Sequence, residues 1–250
     1  MGRAVLAWFA LLLRSIVALY RRGISMLWVA PLVLALVVVP EFLQHVAEIN
    51  LGMFDNRESA RAAAEHPLRW AFGYAKIAGL VLTVLAAARF WWMRKHGGRW
   101  WDLRTIAWGR FLLGSLLFGG LPLLAELLEP LVGTTAKDVA TWLVTFATLP
   151  FALLMVAGLF GDRQPSLRQM WTRGWPALLI LCVLLPLAFA PAQILHGYNH
   201  RWAFGADPII VWALMIIDSL VVGLLAGLTG TALYLGYAAF SDQLDPVSRA

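Results

Sequence analysis

The chain is poor in the residues that build soluble catalytic domains or covalent cross-links. Charged residues make up only 14% of its 250 positions, and the single cysteine, Cys182, excludes an intramolecular disulfide and a thiolate metal cage. The sequence contains no P-loop, no GxSxG elbow and no HExxH motif. An enzymatic activity is therefore unsupported by motifs, and a protein without enzymatic activity is the favoured expectation.

Apolar sequence is what the chain has in excess. Hydrophobic residues account for 61% of the chain and the mean hydropathy is +0.74, which is too apolar for an ordinary soluble domain. We expect an all-α integral membrane protein in which residues 1–250 form a single polytopic membrane domain.

Six segments are long and apolar enough to cross a hydrocarbon layer of about 30 Å. They alternate with short polar connections, so we expect three helical hairpins. The predicted spans are approximately 24–43, 68–92, 108–128, 138–160, 174–196 and 208–240.

The N-terminal segment 2–22 is apolar but carries arginines on one stripe. On a helix, Arg3, Arg14 and Arg21 fall within about 20° of one another. A spanning segment would place Arg14 near mid-membrane at a cost of about 2.5–3.5 kcal/mol. We expect an interfacial amphipathic helix whose Arg3, Arg14, Arg21 and Arg22 contact lipid phosphates, with Gly23 permitting the bend into the first span. A true span with a snorkelling Arg14 is the alternative.

The distribution of basic residues predicts the topology. With both termini in the cytoplasm, fourteen lysines and arginines lie on the inner side and five on the outer side. We therefore expect a multi-pass protein of a bacterial inner membrane. The basic residues stand at the ends of apolar segments and form no continuous basic face, so the expected partner is anionic membrane lipid and not nucleic acid. A protein partner or a second copy of the chain is also possible.

A short motif recurs before three of the apolar segments. It appears as LRSI at 13–16, LRTI at 103–106 and LRQM at 167–170, followed 17 or 18 residues after its arginine by Pro31, Pro122 or Pro186. The spacing suggests three repeated units, each an elbow followed by a pair of spans.

Two stretches resemble a known family at these motifs. GGRWWDLRTIAWGRFLLGSLL (97–117) and GDRQPSLRQMWTRGWPALLILCVLLPL (161–187) look like the elbow-then-span pattern of a bacterial family of six-span proteins. That family includes the membrane domain of some glycerophosphoryl diester phosphodiesterases. The catalytic domain of those enzymes has no counterpart here, so the resemblance implies a lipid-proximal anchoring or accessory module and no catalytic residue.

Two formal charges lie well inside predicted spans. Lys76 and Asp218 each follow, by about ten residues, a proline that we expect to begin its helix, Pro67 or Pro208. An intramembrane ion pair between Lys76 and Asp218 is the first hypothesis, because an unpaired charge there is costly. Independent hydration at the interface and a coupling role in transport are the alternatives.

Further polar residues gather near predicted outer ends. Glu41, His45 and Glu48 follow an i, i+4, i+7 spacing, and His196 and His200 repeat the i, i+4 spacing after the fifth span. These five could converge on a metal ion whose identity the sequence does not give. HGYNH contains Gly197 and need not be helical, so a solvated helix end is the favoured interpretation and no cofactor is expected.

Small residues in the last span predict close helix packing. Gly223 and Gly227 have small-xxx-small spacing, reinforced by Gly230. The packed partner is either another helix of this chain, which is favoured, or a second copy.

Three functional classes remain in order of preference. The first is a polytopic inner-membrane accessory or scaffold protein in contact with lipids or a partner complex. The second is a transporter or lipid translocator that uses Lys76 and Asp218. The third is a membrane-embedded enzyme with an outer-face Glu/His site.

Overall fold

The computed structural model describes residues 2–126 and 134–244, and within these ranges the chain is helical and contains no strand. Two short turns of other helical type, a 3₁₀ turn at Leu103–Thr105 and a π-helical turn at Leu116–Gly120, interrupt the α-helices. The α-helices are α1 (Gly2–Val29), α2 (Pro31–Asn50), α3 (Arg57–Ala64), α4 (Pro67–His96), α5 (Trp108–Ser115), α6 (Leu121–Glu126), α7 (Thr134–Thr148), α8 (Phe151–Phe160), α9 (Leu167–Arg173), α10 (Trp175–Ala203) and α11 (Pro208–Leu244).

Among the described residues, four helices are long and apolar enough to cross a membrane, which indicates a multi-pass membrane protein. They are Pro31–Asn50, Pro67–His96, Trp175–Ala203 and Pro208–Asp242. The pair α7 and α8, bent by 45°, would be a fifth span if it counts as one. Pro67 and Pro208 begin their helices as predicted.

Six spans are predicted from the sequence, and the described residues contain four candidate membrane-spanning helices, or five with the bent pair. The prediction for 108–128 falls on a segment divided between α5, the π-helical turn and α6, and its residues 127–128 lie outside the described residues. Six spans therefore remain a prediction. Nor does the repeated motif have one local structure: its copies lie inside α1, in the 3₁₀ turn and at the start of α9.

The predicted bend at Gly23 is wrong. Helix α1 continues through Gly23 to Val29, and the break lies at Ala30, whose φ of −146° and ψ of 50° are not helical. Ala30 precedes Pro31, and the proline ring disfavours helical backbone at the residue before it. A Cβ on Gly23 would lie 2.3 Å from Leu228 Cδ2, so Gly23 serves close packing of α1 against α11.

The predicted lipid-contacting arginines all belong to α1. Arg14 and Arg21 are exposed and Arg22 is half-buried, whereas the side chain of Arg3 lies outside the described part of the chain. The opposite face of α1 is buried at Leu19 and Met26. Whether α1 crosses the membrane or lies along it stays a prediction.

The chain forms two compact units. Unit 1 comprises Met1–Phe90 and Leu184–Ala232, and unit 2 comprises Trp91–Val183 and Leu233–Ala250. In unit 2, α5 and α8 cross closely at Gly158, where a Cβ would lie 2.2 Å from the backbone nitrogen of Phe111. The Tyr237 hydroxyl of the same unit donates a 2.7 Å hydrogen bond to Asp162 Oδ2.

The glycines of α11 pack unit 1 tightly. A Cβ on Gly223 would lie 2.5 Å from Val38 Cγ2, and one on Gly227 would lie 3.0 Å from Leu34 Cδ2. A Cβ on Gly230 would lie 2.3 Å from the carbonyl oxygen of Val84. The small residues singled out in the sequence therefore contact α2 and α4 of the same chain.

Replacing Gly230 with alanine should destabilise the protein. The new methyl group would overlap backbone atoms of α4, which cannot move aside as a flexible side chain can, and overpacking of this kind costs about 1–3 kcal/mol. Gly109→Ala is the control, because a Cβ there meets nothing within 4 Å. Thermal unfolding in detergent measures both, and equal melting temperatures for the two variants would contradict the packing described here.

A buried histidine and carboxylate cluster as the candidate functional site

Four helices of unit 1 bring polar side chains together. Helix α2 supplies Glu41, Gln44, His45 and Glu48, helix α4 supplies Arg69 and Lys76, helix α10 supplies His196, Asn199 and His200, and helix α11 supplies Asp218. The i, i+3, i+4 and i+7 spacings on α2 place its four residues on one face of the helix.

Asp218 is the centre of the cluster. Its side chain has no solvent exposure, and its Oδ2 lies 2.6 Å from His196 Nδ1 and 3.1 Å from His45 Nε2. The Nε2 of His200 lies 3.5 Å from the same oxygen. The other oxygen, Oδ1, accepts a 2.9 Å hydrogen bond from Asn199 Nδ2. Three imidazole nitrogens therefore surround one carboxylate oxygen.

The His45 ring has a carboxylate on each side. Its Nδ1 lies 3.0 Å from Glu48 Oε2, and its Nε2 lies 3.1 Å from Asp218 Oδ2 and 3.3 Å from Glu41 Oε1. An ionised carboxylate only accepts hydrogen bonds, so the ring satisfies both sides either as an imidazolium or with a cation between Nε2 and its neighbours.

Two cations of α4 hold two carboxylates of α2. Arg69 Nε donates a 2.9 Å hydrogen bond to Glu48 Oε1, which also accepts a 2.8 Å bond from Gln44 Nε2. Lys76 Nζ lies 3.2 Å from both oxygens of Glu41 and donates to Oε1. Arg69 and Lys76 are seven residues apart and therefore share a helix face.

The hypothesis of an ion pair between Lys76 and Asp218 needs correction. Lys76 pairs with Glu41, and Asp218 binds the histidines and Asn199, so the two charges belong to one cluster without pairing directly. The reason is helix packing: a Cβ on Gly79 would lie 2.3 Å from the carbonyl oxygen of Leu36, so α4 lies against α2 one turn from Lys76.

The cluster carries an excess of negative charge when its histidines are neutral. Within the described part of the chain, the arginine and lysine partners of its three carboxylates are Arg69 and Lys76, and Glu41, Glu48 and Asp218 have no exposure. An uncompensated charge in a buried setting is costly, so the arrangement calls for one or more further positive charges.

Two buried acceptors of the cluster have no hydrogen bond among the described residues. They are Glu41 Oε2, which lies 3.2 Å from Lys76 Nζ in an ion pair, and Gln44 Oε1. Glu41 is 0% exposed and Gln44 is 4% exposed, so bulk water does not satisfy these atoms. Buried acceptors are normally satisfied by a partner, an ordered water or an ion.

The ligand atoms are spaced as a metal site requires. The donor atoms of His45, His200 and Asp218 lie within 4.8 Å of one another, and so do those of Glu41, His196 and Asp218. Around a tetrahedral ion with bonds of about 2.1 Å, ligand atoms stand about 3.4 Å apart. The distances of 3.1 and 3.5 Å from Asp218 Oδ2 to His45 Nε2 and His200 Nε2 are of that size.

All five residues predicted for the outer cluster meet in the structure. Glu41, His45 and Glu48 are fully buried, so the favoured expectation of a solvated helix end is wrong, and HGYNH is helical as part of α10. Sequence reasoning missed Gln44, Arg69 and Asn199. Arg69 could have been found from its seven-residue spacing to Lys76 on the same helix.

Apolar residues cover the cluster where α2 and α10 end. The ring of Phe54, which is 5% exposed, lies 5.9 Å from the ring of His200 and packs with Ala203, Val211 and Met215. A small cavity beside this cover is lined by Ile49, Phe54, Asp55, Ala206, Pro208, Val211 and Trp212.

Comparison of the chain with protein-family models, curated proteins and solved structures gave no match. The resemblance to the six-span family stays a prediction.

A double-mutant cycle should show which residue Lys76 pairs with. Lys76→Met and Glu41→Gln should each destabilise the protein, and the double variant should lose less than the sum, with a coupling of about 0.5–3 kcal/mol. The control cycle of Lys76→Met with Asp218→Asn should give a markedly smaller coupling, because no direct contact joins those residues. Chemical unfolding in detergent measures both cycles, and the reverse order would contradict the assigned pairing.

Proposed function

We propose that this chain is a multi-pass membrane protein that binds a divalent transition-metal ion in unit 1 through His45 Nε2, His200 Nε2 and Asp218. The observation that carries the proposal is the convergence of three imidazole nitrogens on one buried carboxylate oxygen. Two histidines and one carboxylate bind Zn²⁺ or Fe²⁺ and leave coordination positions open. Glu41 and His196 form a second possible ligand group with Asp218, so either could serve as an additional or alternative ligand.

The surroundings of His45 support the assignment. A metal-bound histidine almost always donates its second ring N–H to a carboxylate, carbonyl or water, which fixes the ring. Glu48 stands in that place at 3.0 Å from Nδ1, and Arg69 and Gln44 hold Glu48 in turn. This chain of contacts leaves Nε2 of His45 directed at Asp218.

The charge balance accommodates a further positive charge. With neutral histidines, the three carboxylates exceed the two cations by one, so one imidazolium would bring the cluster to zero and a divalent ion would bring it to one excess positive charge. The expectation that the protein has no cofactor is replaced by this proposal.

The chemistry that suits such a site is metal-assisted hydrolysis. A metal ion with an open position polarises a carbonyl or phosphoryl oxygen and lowers the pKa of bound water. Beyond the cluster the helices of unit 1 are closely packed, with Val37, Val222 and Ala226 buried against one another. This packing supports a resident site over a transport path, so the proposed enzyme is preferred to the transporter that uses Lys76 and Asp218.

An accessory or scaffold role is the second candidate. The exposed large apolar side chains of α1 and α4, such as Leu13, Val17 and Tyr74, suit contact with lipid or with a partner helix. That role needs no chemistry at the cluster, which would then be a structural ion network. Metal content therefore separates the two candidates.

The proposed location is a bacterial inner membrane with both termini in the cytoplasm. The excess of basic residues in the N-terminal helix and in 89–110 and 163–173 supports this topology under the positive-inside rule. We further propose six spans and an interfacial α1 in contact with anionic lipid. In this arrangement the cluster faces the outer leaflet.

Purified protein should bind one divalent ion per chain, because three nitrogen and oxygen donors already stand at ligand spacing. Inductively coupled plasma mass spectrometry on protein in detergent, followed by Zn²⁺ or Co²⁺ titration after chelation, measures the stoichiometry. His45→Ala, His200→Ala and Asp218→Asn should abolish stoichiometric binding.

The two histidines outside the cluster provide matched controls. His66 lies between α3 and α4 and His96 stacks on Trp92, so His66→Ala and His96→Ala should bind metal as the parent does. Undiminished binding by the His45 and His200 variants, or no binding by the folded parent, would refute the proposal.

Glu48→Gln should weaken metal binding without abolishing it. The amide cannot accept from His45 Nδ1–H as strongly and has no charge for Arg69 to balance, and loss of such a partner lowers metal affinity about 10–100-fold. Competition with a chromophoric chelator measures the affinity. An affinity equal to that of the parent protein would show that Glu48 does not orient a ligand.

A further inference from the structure

The depth of the cluster in the bilayer can be read from helix lengths. Lys76 is nine residues beyond Pro67 and Asp218 is ten beyond Pro208, which places both about 14–15 Å from their helix starts. Helices α4 and α10 have 30 and 29 residues and exceed a hydrocarbon layer of about 30 Å by about 15 Å. With these helices centred, the cluster falls near the boundary between lipid headgroups and acyl chains.

The ligands of the cluster are accessible from one edge. Glu41, His45, Glu48 and Asp218 are completely buried, whereas His196 and His200 of α10 expose 19% and 29% of their side chains. Gly197 lies between these histidines in sequence, and a Cβ there would meet nothing within 4 Å. The cluster is therefore accessible at His196 and His200, and we call this exposed edge of α10, which includes Gly197, the aperture.

Exposed apolar side chains lie on α10 and on α11, the two helices that supply His196, His200 and Asp218. On α10, Leu195 and Tyr198 are exposed, and Trp202 follows one turn later. At the start of α11, Ile209 and Ile210 are also exposed. In a membrane-spanning segment such side chains face lipid, so the aperture opens toward lipid while Phe54 covers the loop side.

From depth, aperture and charge together, and resting on the proposed function, we propose that the substrate is an anionic glycerophospholipid that enters beside Gly197. Its glycerol ester bonds lie at the headgroup boundary, the depth of the cluster. A divalent ion would give the cluster an excess positive charge. That excess already includes Arg69 and Lys76, which pair with Glu48 and Glu41 and have 24% and 25% of their side chains exposed. A phosphate in the headgroup is the complementary charge.

The reaction is hydrolysis of an acyl ester. Water adds to the ester carbonyl carbon and the bond from that carbon to the glycerol oxygen breaks. The acyl group leaves as a fatty acid, and the glycerol oxygen takes the remaining proton as an alcohol. No oxidant or reductant is required, and the only co-reactant is water.

The test uses full-length protein loaded with Zn²⁺ and reconstituted in vesicles of phosphatidylcholine with phosphatidylglycerol. Mass spectrometry measures the fatty acid and lysolipid released from each lipid. We expect release to favour phosphatidylglycerol and to fall more than tenfold in His200→Ala. Gly197→Leu should bind metal normally yet release at least fivefold less product, because the new side chain fills the aperture.

Gly109→Leu is the matched control, since that glycine also has open space around its Cβ position and lies outside the cluster. It should keep the parent rate. Metal binding without release above the His200→Ala level would overturn the lipid proposal and leave the metal site standing. Equal rates for Gly197→Leu and Gly109→Leu would overturn the entry route, and loss of metal binding in the parent would refute the proposed function itself.

Discussion

The unit-1 cluster depends on the burial of one carboxylate. Asp218 lies on an apolar helix with no exposure to solvent, and an ionised oxygen in such a place needs donors or cations from neighbouring helices. Helix α2 supplies His45 as a partner of Asp218, and helix α10 supplies His196, His200 and Asn199. The position of Asp218 thus fixes which faces of three helices must meet.

Close helix packing makes that meeting possible. The glycines at 223, 227 and 230 let the backbone of α11 approach α2 and α4, and Gly79 does the same between α4 and α2. Because these contacts set the distances between helix axes, they also set the separation between Lys76 and Glu41. The small residues and the charged residues of unit 1 are parts of one arrangement, in which van der Waals packing positions the polar groups.

The spacing of residues within each helix predicted which residues belong to the cluster better than it predicted which of them contact one another. The i, i+4 and i+7 pattern of Glu41, His45 and Glu48 follows from helix geometry alone, and so does the pairing of His196 with His200 on one face. Which charge meets Lys76 depends on the rotation and register of α4 against α2, which periodicity within one helix does not contain. The prediction of a bend at Gly23 was wrong for a related reason. Glycine occurs both at turns and at close helix contacts, and only the contact with Leu228 shows that Gly23 belongs to the second kind. The apolar cover at His200 likewise comes from Phe54 in the connection from α2 to α4, and the spacing within α10 does not contain it.

The composition of the cluster argues for chemistry over stability. Buried ion pairs are weak contributors to folding, because desolvation offsets their attraction, and apolar residues of similar volume often stabilise a protein more. Glu41, His45, Glu48 and Asp218 are all fully buried, yet Glu41 Oε2 and Gln44 Oε1 still lack hydrogen bonds. A network retained for rigidity would gain most from complete satisfaction, since partly satisfied polar groups in a low dielectric are especially costly. An additional cation at the converging imidazole nitrogens would offset the excess negative charge of the carboxylates, and binding that ion would couple folding to the proposed activity.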